Sequence, residues 1–300
     1  MSVIKRPSEL EAKKNISILI YGEPGIGKTT MGCSAPNAVL FDYDGGVNRV
    51  NGAHQIPTVQ VKNWNDTIEA MNELQGMNCQ TIVIDTVGKM LDFMTQAIIA
   101  SDSRLGQRDG SLTLKGYGVR KAWFINFIKQ LSIMNKNVVF IAHEREDRRG
   151  DDTVKRPEIG GSSANDLIKE IDLVGYMHAI GKERTISFDP CETYYAKNTC
   201  NLPEVIKIPT LIDKDDNIVE QNNFLSRIIK SYMKNAEEKT NKNAEYADLI
   251  EVIKEKVEQV TDKASAETVA NELDNMVQIY DSKIKAKAML ARKMKQLNLQ

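Results

Sequence analysis

The sequence is poor in features that mark several protein classes. Its 300 residues hold four cysteines, Cys33, Cys79, Cys191 and Cys200, with no C-x-x-C pair among them. That scatter offers neither a zinc knuckle nor a disulfide framework and suits a reducing compartment. Acids and bases nearly cancel, at a net charge of −1. No global basic field therefore draws the protein onto nucleic acid, and any such contact must come from local patches. No apolar run approaches the ~20 residues of a membrane-spanning helix, so no membrane contact is expected. Met1 to Asn15 is polar and mixed in charge, unlike a secretory leader. The expected location is cytoplasmic. There is no internal repeat and no low-complexity tract.

What is present is an ordinary apolar fraction of 41%, enough for a globular core, and one motif that organises the rest. Gly22-Glu23-Pro24-Gly25-Ile26-Gly27-Lys28-Thr29-Thr30 contains G-x-x-x-x-G-K-[ST] in full, from Gly22 to Thr29. The apolar, β-branched run Ile16 to Ile20 before it reads as a buried strand, and Thr29 to Met31 open a helix. Strand, glycine loop and helix are the context the motif requires. Gly22, Gly25 and Gly27 let the backbone bend around a phosphate with its N–H groups turned inward. The helix start adds partial positive charge. Lys28 is placed to reach the β- and γ-phosphates, and the Thr29 hydroxyl to ligate Mg²⁺. Gly22 to Thr30 are the candidate nucleotide-binding residues, with ATP and Mg²⁺ as the expected ligands.

Further strands are expected at Ala38 to Phe41, Pro57 to Val61, Gln80 to Asp85 and Asn137 to His143, with helices at Trp64 to Leu74, Val87 to Ala100 and Val119 to Met134. Alternating strands and helices predict an α/β fold with a mainly parallel sheet. Two long polar stretches, Ser101 to Gly118 and Glu144 to Ser163, read as loops, and loops of that length are usually functional or disordered. Shorter strands between Asp172 and Ile208 read partly as a late β-hairpin around Gly181-Lys182. The expected domains are an N-terminal arm (1–15), a core (16–234), a Lys/Glu/Asn-rich linker (235–243) and a C-terminal helical hairpin (244–300). In that hairpin, helical spacing runs over Ala244 to Val260 and Ser265 to Leu297.

Several residues qualify for chemistry. Asp85 ends an apolar strand about sixty residues after the P-loop, where a carboxylate can hold Mg²⁺ together with Thr29. The next residue is Thr86, so the glutamate often found there to activate water is absent. Asp42 and Asp44, at the end of the second strand, are the candidate bases; a turn-capping role for Asp44 is the plain alternative. His143 ends a buried strand and could sense the γ-phosphate, against the plain reading of a satisfied histidine. Arg104, Arg108, Lys115 and Tyr117 in the first loop, and Arg148, Arg149, Lys155 and Arg156 in the second, could hold a phosphate backbone, with Tyr117 stacking on a base. The acids mixed among them, Glu146, Asp147, Asp151 and Asp152, equally suit a solvated loop.

In this order the parts resemble a RecA-type ATPase core. The resemblance is to phage nucleotide-binding proteins with a minimal RecA core, which act as single-strand annealing recombinases, and it covers Ile16 to Pro209. It implies that the two loops bind single-stranded DNA and that His143 couples them to the γ-phosphate. It also implies that Asp44 stands where the recombinases carry a catalytic glutamate, and that subunits oligomerise with ATP between them. A phage-borne protein would work in the host cytoplasm. Related ring ATPases such as the DnaB helicases reach into the neighbouring site with a K-x-R pair. Here the similar place reads Lys197-Asn198-Thr199; Lys197 matches, as a cation acting in trans, and the arginine does not. The tail lies outside the resemblance. It suits contact with a single-strand-binding or replication protein, as in an ATP-switched loader or adaptor. A small-molecule P-loop kinase fits less well, because such chains carry a compact arginine-rich lid.

Overall fold

The structure, a computed structural model, describes residues 4–150, 152–181 and 183–299, the side chain of Arg149 excepted. The chain begins with β1 (Ser17–Gly22), the glycine loop and α1 (Lys28–Gly32), then β2 (Ala38–Asp42), β3 (Thr58–Gln60) and α2 (Trp64–Gly76). Next come β4 (Thr81–Asp85), α3 (Val87–Ser101), α4 (Leu114–Ile133), β5 (Asn137–Arg149), β6 (Asp152–Pro157) and α5 (Ser163–Glu170). They are followed by β7 (Leu173–Ile180), β8 (Glu183–Ser187), β9 (Lys197–Asn198) and β10 (Val205–Ile208), and last by α6 (Phe224–Glu258), α7 (Lys263–Asn275) and α8 (Ser282–Gln296).

The strands order as β10-β8-β7-β1-β5-β4-β2-β3. From β7 to β3 the pairs are parallel; β8 and β10 add antiparallel neighbours beyond β7. The centre is buried on both faces, which is why its strands read as unbroken apolar runs rather than alternating ones. Leu19, Tyr21, Phe41, Ile82, Ile84 and Phe140 face α2 to α5. On the other face α1 packs so closely that a Cβ at Gly32 would meet Ile141 and Val83. The start of α6 joins that face through Leu225 N, which donates to Ser34 Oγ at 2.9 Å. The architecture is mixed α/β with a mostly parallel central sheet and helices at its C-terminal end.

Four stretches differ from the sequence reading. The second polar loop is mainly a β-hairpin, in which Glu144 to Arg149 pair with Asp152 to Pro157. Charges on both of its faces hide the period of two. Opposite charges across the strands stabilise such a pairing, and Lys155 Nζ donates to Glu144 and Glu146, each at 2.7 Å. Asp151 lies outside the described residues. The first loop is shorter than expected, because α4 starts at Leu114, capped by Thr113 Oγ1, which accepts from Gly116 N at 3.2 Å. Leu105 and Leu112 bury with Ile98, so the loop has a small core of its own.

Residues 235–243, read as a linker, are helical within α6. Apart from Ala236 they lack apolar residues, but Glu, Lys and Ala favour helix and neither Gly nor Pro interrupts them. The pattern from Ser265 to Leu297 is two helices, not one. Between them Tyr280 takes φ +49, outside helical geometry, and Ser282 Oγ accepts from Ile279 N at 3.0 Å.

The chain divides into two compact units: Lys14–Met233, and Lys234–Gln300 with Met1–Lys13. The first holds the sheet. The second has its own core, in which Ile253, Val257, Leu273 and Leu290 are buried together. Among the described residues no helix is long and apolar enough to cross a membrane.

Candidate functional site: the cleft above the glycine loop

The C-terminal ends of β1, β5, β4 and β2 lie side by side in that order, and open α/β sheets bind ligands at such an edge. The register aligns the chemistry. Gly22 pairs with His143, and Asp42 with Asp85. A cleft of about 400 Å³ opens there, lined by Gly25, Gly27, Lys28, Thr29, Thr30, Asp44, Gly46, Arg49, Val50, Asp85, Thr86, His143 and Arg184. At Gly27 φ is +100, a conformation that favours glycine. At Gly22 the constraint is space, since a Cβ would collide with the Met177 carbonyl of β7.

Lys28 is buried and folds back on the loop, its Nζ donating to the carbonyls of Gly22 at 2.8 Å and Glu23 at 2.6 Å. Burial lowers its pKa, opposed by the nearby carboxylates of Asp85, Glu144 and Asp44. Thr29 Oγ1 donates to Asp85 Oδ2 at 2.6 Å. Burial pushes the Asp85 carboxyl up to about 6, with Asp44 and Asp42 adding to the rise and Thr29 and Lys28 opposing it. A buried carboxylate that is costly to ionise in isolation suits a position where a cation arrives with the ligand.

The loop after β2 separates the two aspartates. Asp42 is buried and accepts from the backbone N–H of Gly46, Val47 and Asp44 at 2.9, 3.1 and 3.3 Å. It organises the turn. Asp44 lines the cleft, accepts from Gly46 N at 3.1 Å, and lies 3.8 Å from Arg49. A Cβ at Gly46 would stand 3.1 Å from Asp44 Oδ1, 3.2 Å from Thr29 Oγ1 and 3.4 Å from Asp85 Oδ2. Three side-chain oxygens, from α1, β4 and the loop after β2, therefore cluster against Gly46. Hard oxygen donors of this kind fit Mg²⁺, which takes one or two carboxylates and completes its shell with water and phosphate oxygens. Among the described residues no cluster of three His, Cys, Asp or Glu could hold a metal alone.

His143 lines the cleft, and its Nδ1 is buried without a hydrogen-bond partner. Burial and the neighbouring Lys28 lower its pKa, which favours the neutral ring. Glu23, Pro24 and Ile26 belong to the loop, and none of them lines the cleft. Lys197 is away from it. Its Nζ donates to the carbonyls of Ile171 at 2.5 Å and Ile168 at 3.2 Å, closing the C-terminal end of α5.

The eight residues expected to bind DNA lie elsewhere, in the segment from Arg104 to the start of α4 and on the β5–β6 hairpin. Arg104 is exposed and held by Asp102 through two bonds of 2.9 Å. Arg108 and Lys115 are exposed, and Tyr117 lies on the first turn of α4 with Arg120 over its ring at 5.0 Å. On the hairpin Lys155 is engaged by Glu144 and Glu146, and Arg156 lies 3.4 Å from Asp147. Arg148 is exposed; the side chain of Arg149 is outside the described residues.

Two charged residues of the cleft escaped the sequence reading, Arg49 and Arg184. A signal existed for the second. Arg184 shares a strand face with Ile186, which is fully buried, and a cation on an inward face calls for an explanation.

Fold and cleft together define a P-loop nucleotide-binding domain. The chain belongs to the AAA domain family, whose AAA_24 domain matches residues 14–200. A solved structure of the RadB recombinase is similar at 15% identity and a TM-score of 0.36, covering 59% of this chain and 81% of that one. No curated protein matches the sequence.

Proposed function

We propose that the protein binds ATP in this cleft, hydrolyses it, and uses the cycle in DNA recombination as an oligomer that binds or anneals single strands. One observation carries the nucleotide half: the convergence of Thr29, Asp85 and Asp44 at Gly46, beside Lys28. In this reading the loop N–H groups and Lys28 hold the phosphates, and Thr29 and Asp85 hold Mg²⁺, which neutralises phosphate charge when bound. Asp44 orients and deprotonates the attacking water, while Asp42 keeps the Asp44 loop in place. His143, facing the same cleft with a vacant ring nitrogen, reports the γ-phosphate to the β5–β6 hairpin that continues from its own strand. The recombination half rests on the order of parts that resembles RecA.

ATP turnover measured with and without single-stranded DNA tests both halves. Turnover stimulated by DNA is expected. No turnover in either condition rejects hydrolysis, and turnover indifferent to DNA rejects the recombination half.

A second reading is favoured by a specific observation. The hairpin cations Lys155 and Arg156 already face carboxylates, which leaves them less charge to give to a phosphate backbone. That balance suits an ATP-switched replication loader or adaptor, whose C-terminal helices meet a protein partner.

A further inference from the structure

We propose that Arg184 is a phosphate-binding residue of the same cleft, acting within its own subunit from the side of β8. The assignment rests on the nucleotide reading above and adds a cation to it. Arg184 lies on β8, paired to Ala179 of β7 on one side and to Ile208 of β10 on the other, so its backbone is held by strands on both flanks. Its guanidinium lies against the glycine loop: a Cβ at Gly27 would stand 2.9 Å from Nη1. That same Nη1 makes one long bond, 3.4 Å, to the carbonyl of Ile26. No carboxylate pairs with Arg184 among the described residues, whereas Arg49, the other arginine of the cleft, lies 3.8 Å from Asp44.

A guanidinium carries five donors in a planar fork matched to phosphate. Here one long bond to the loop leaves most of that fork for a ligand, in a cleft that already has a lysine for phosphate and, in Thr29 and Asp85, two oxygens for a cation. Lys28 and Arg184 engage different carbonyls of the loop: Lys28 donates to Gly22 and Glu23, Arg184 to Ile26. Two cations lining one cleft offset the charge of a triphosphate better than one. A side chain on a paired strand also brings its charge with little reorganisation. The competing role is a neutral strut, in which Arg184 only pins β8 to the loop through the Ile26 carbonyl.

The test is titration of a fluorescent ATP analogue into the full chain at two salt concentrations. Wild type is compared with Arg184→Ala, Arg184→Gln and Arg184→Lys, and nucleotide-free melting is recorded for each. Glutamine keeps a neutral donor for Ile26 but no charge. The expected result is that Ala and Gln weaken binding alike, by about 10- to 100-fold for a lost charged hydrogen bond. Lys should recover part of the loss, and the salt dependence should fall in Ala and Gln. Affinity unchanged in Arg184→Ala overturns the assignment. So does a loss in Ala that Gln restores together with the melting temperature, which is the strut's signature. Wild type that binds no nucleotide rejects the site reading itself, and the assignment with it.

Discussion

The cleft works through atoms whose roles divide by what surrounds them. Lys28 is buried at the end of the glycine loop, and its two bonds to loop carbonyls hold the ammonium where phosphate oxygens would replace them. Lys28→Ala should therefore abolish productive ATP use. Loss of a preorganised charged contact costs on the order of 3–4 kcal/mol of transition-state stabilisation, which a phosphate-release assay would register as a loss of turnover. The aspartates should separate by readout. Asp44→Asn should cut turnover far more than ATP affinity, since a base acts on water and not on the ground state; equal turnover in the variant would move the base elsewhere. Asp42→Asn should act on stability. Its carboxylate accepts three backbone N–H groups in a buried turn, and an amide meets them less well, at about 1–3 kcal/mol. A lower melting temperature, with the turnover lost in proportion to unfolding, is the expected outcome.

At the scale of the element, the β5–β6 hairpin is where the two readings part. Its cations Lys155 and Arg156 sit in cross-strand pairs, yet such pairs at a surface contribute little, a median of about 0–1 kcal/mol, so phosphate can compete for them. If the hairpin holds DNA, replacing Arg148 and Arg156 by Ala should flatten the salt dependence of single-strand binding by about 0.7 per lost contact in the log–log slope. Nucleotide affinity should stay put, because Lys28, Thr29 and Asp85 lie on other elements. Filter binding across a salt series decides between the readings: an unchanged slope rejects the DNA assignment and supports the adaptor. The base of the hairpin is a different matter. Glu144 is nearly buried, with a side chain 7% exposed, and is held by Lys155 and by the Tyr176 hydroxyl at 3.0 Å. These contacts tie the base of the hairpin to β7.

Across the whole molecule, two cores imply two separable stabilities. Phe224, Leu225, Ile228, Ile229 and Tyr232 are buried in the unit that holds the sheet, so a chain ending at Met233 keeps that core complete. Such a chain should stay soluble and bind ATP with wild-type affinity; insolubility would make the C-terminal helices part of the nucleotide domain. In the full chain Leu273→Ala, inside the C-terminal core, should cost about 2–5 kcal/mol of that unit's stability. ATP affinity should be unchanged, and calorimetry should show one transition moving and the other standing still.

The sequence alone determines the glycine loop, the apolar strands beside it and Asp85, because each is encoded locally. A buried parallel strand needs an apolar run, and a phosphate loop needs glycines at fixed spacing. It determines the C-terminal helices for the same reason, through a 3.6-residue period, though not the break between Asn275 and Ser282, where Tyr280 turns left-handed. Only the tertiary structure decides what the aspartates and cations face. Asp42 and Asp44 are two residues apart and chemically alike, and the turn through Gly46 sends one into the core and the other into the cleft. Lys197 reads as a free cation until α5 arrives beneath it with two unpaired carbonyls. Arg184 reads as one more charge on a short strand until β7 and β8 fold back beside β1 and carry it across more than 150 residues of sequence to the loop, a separation of 158 at Ile26. Local periodicity cannot encode such contacts, because they depend on which strand lies next to which, and that is settled by packing the whole sheet.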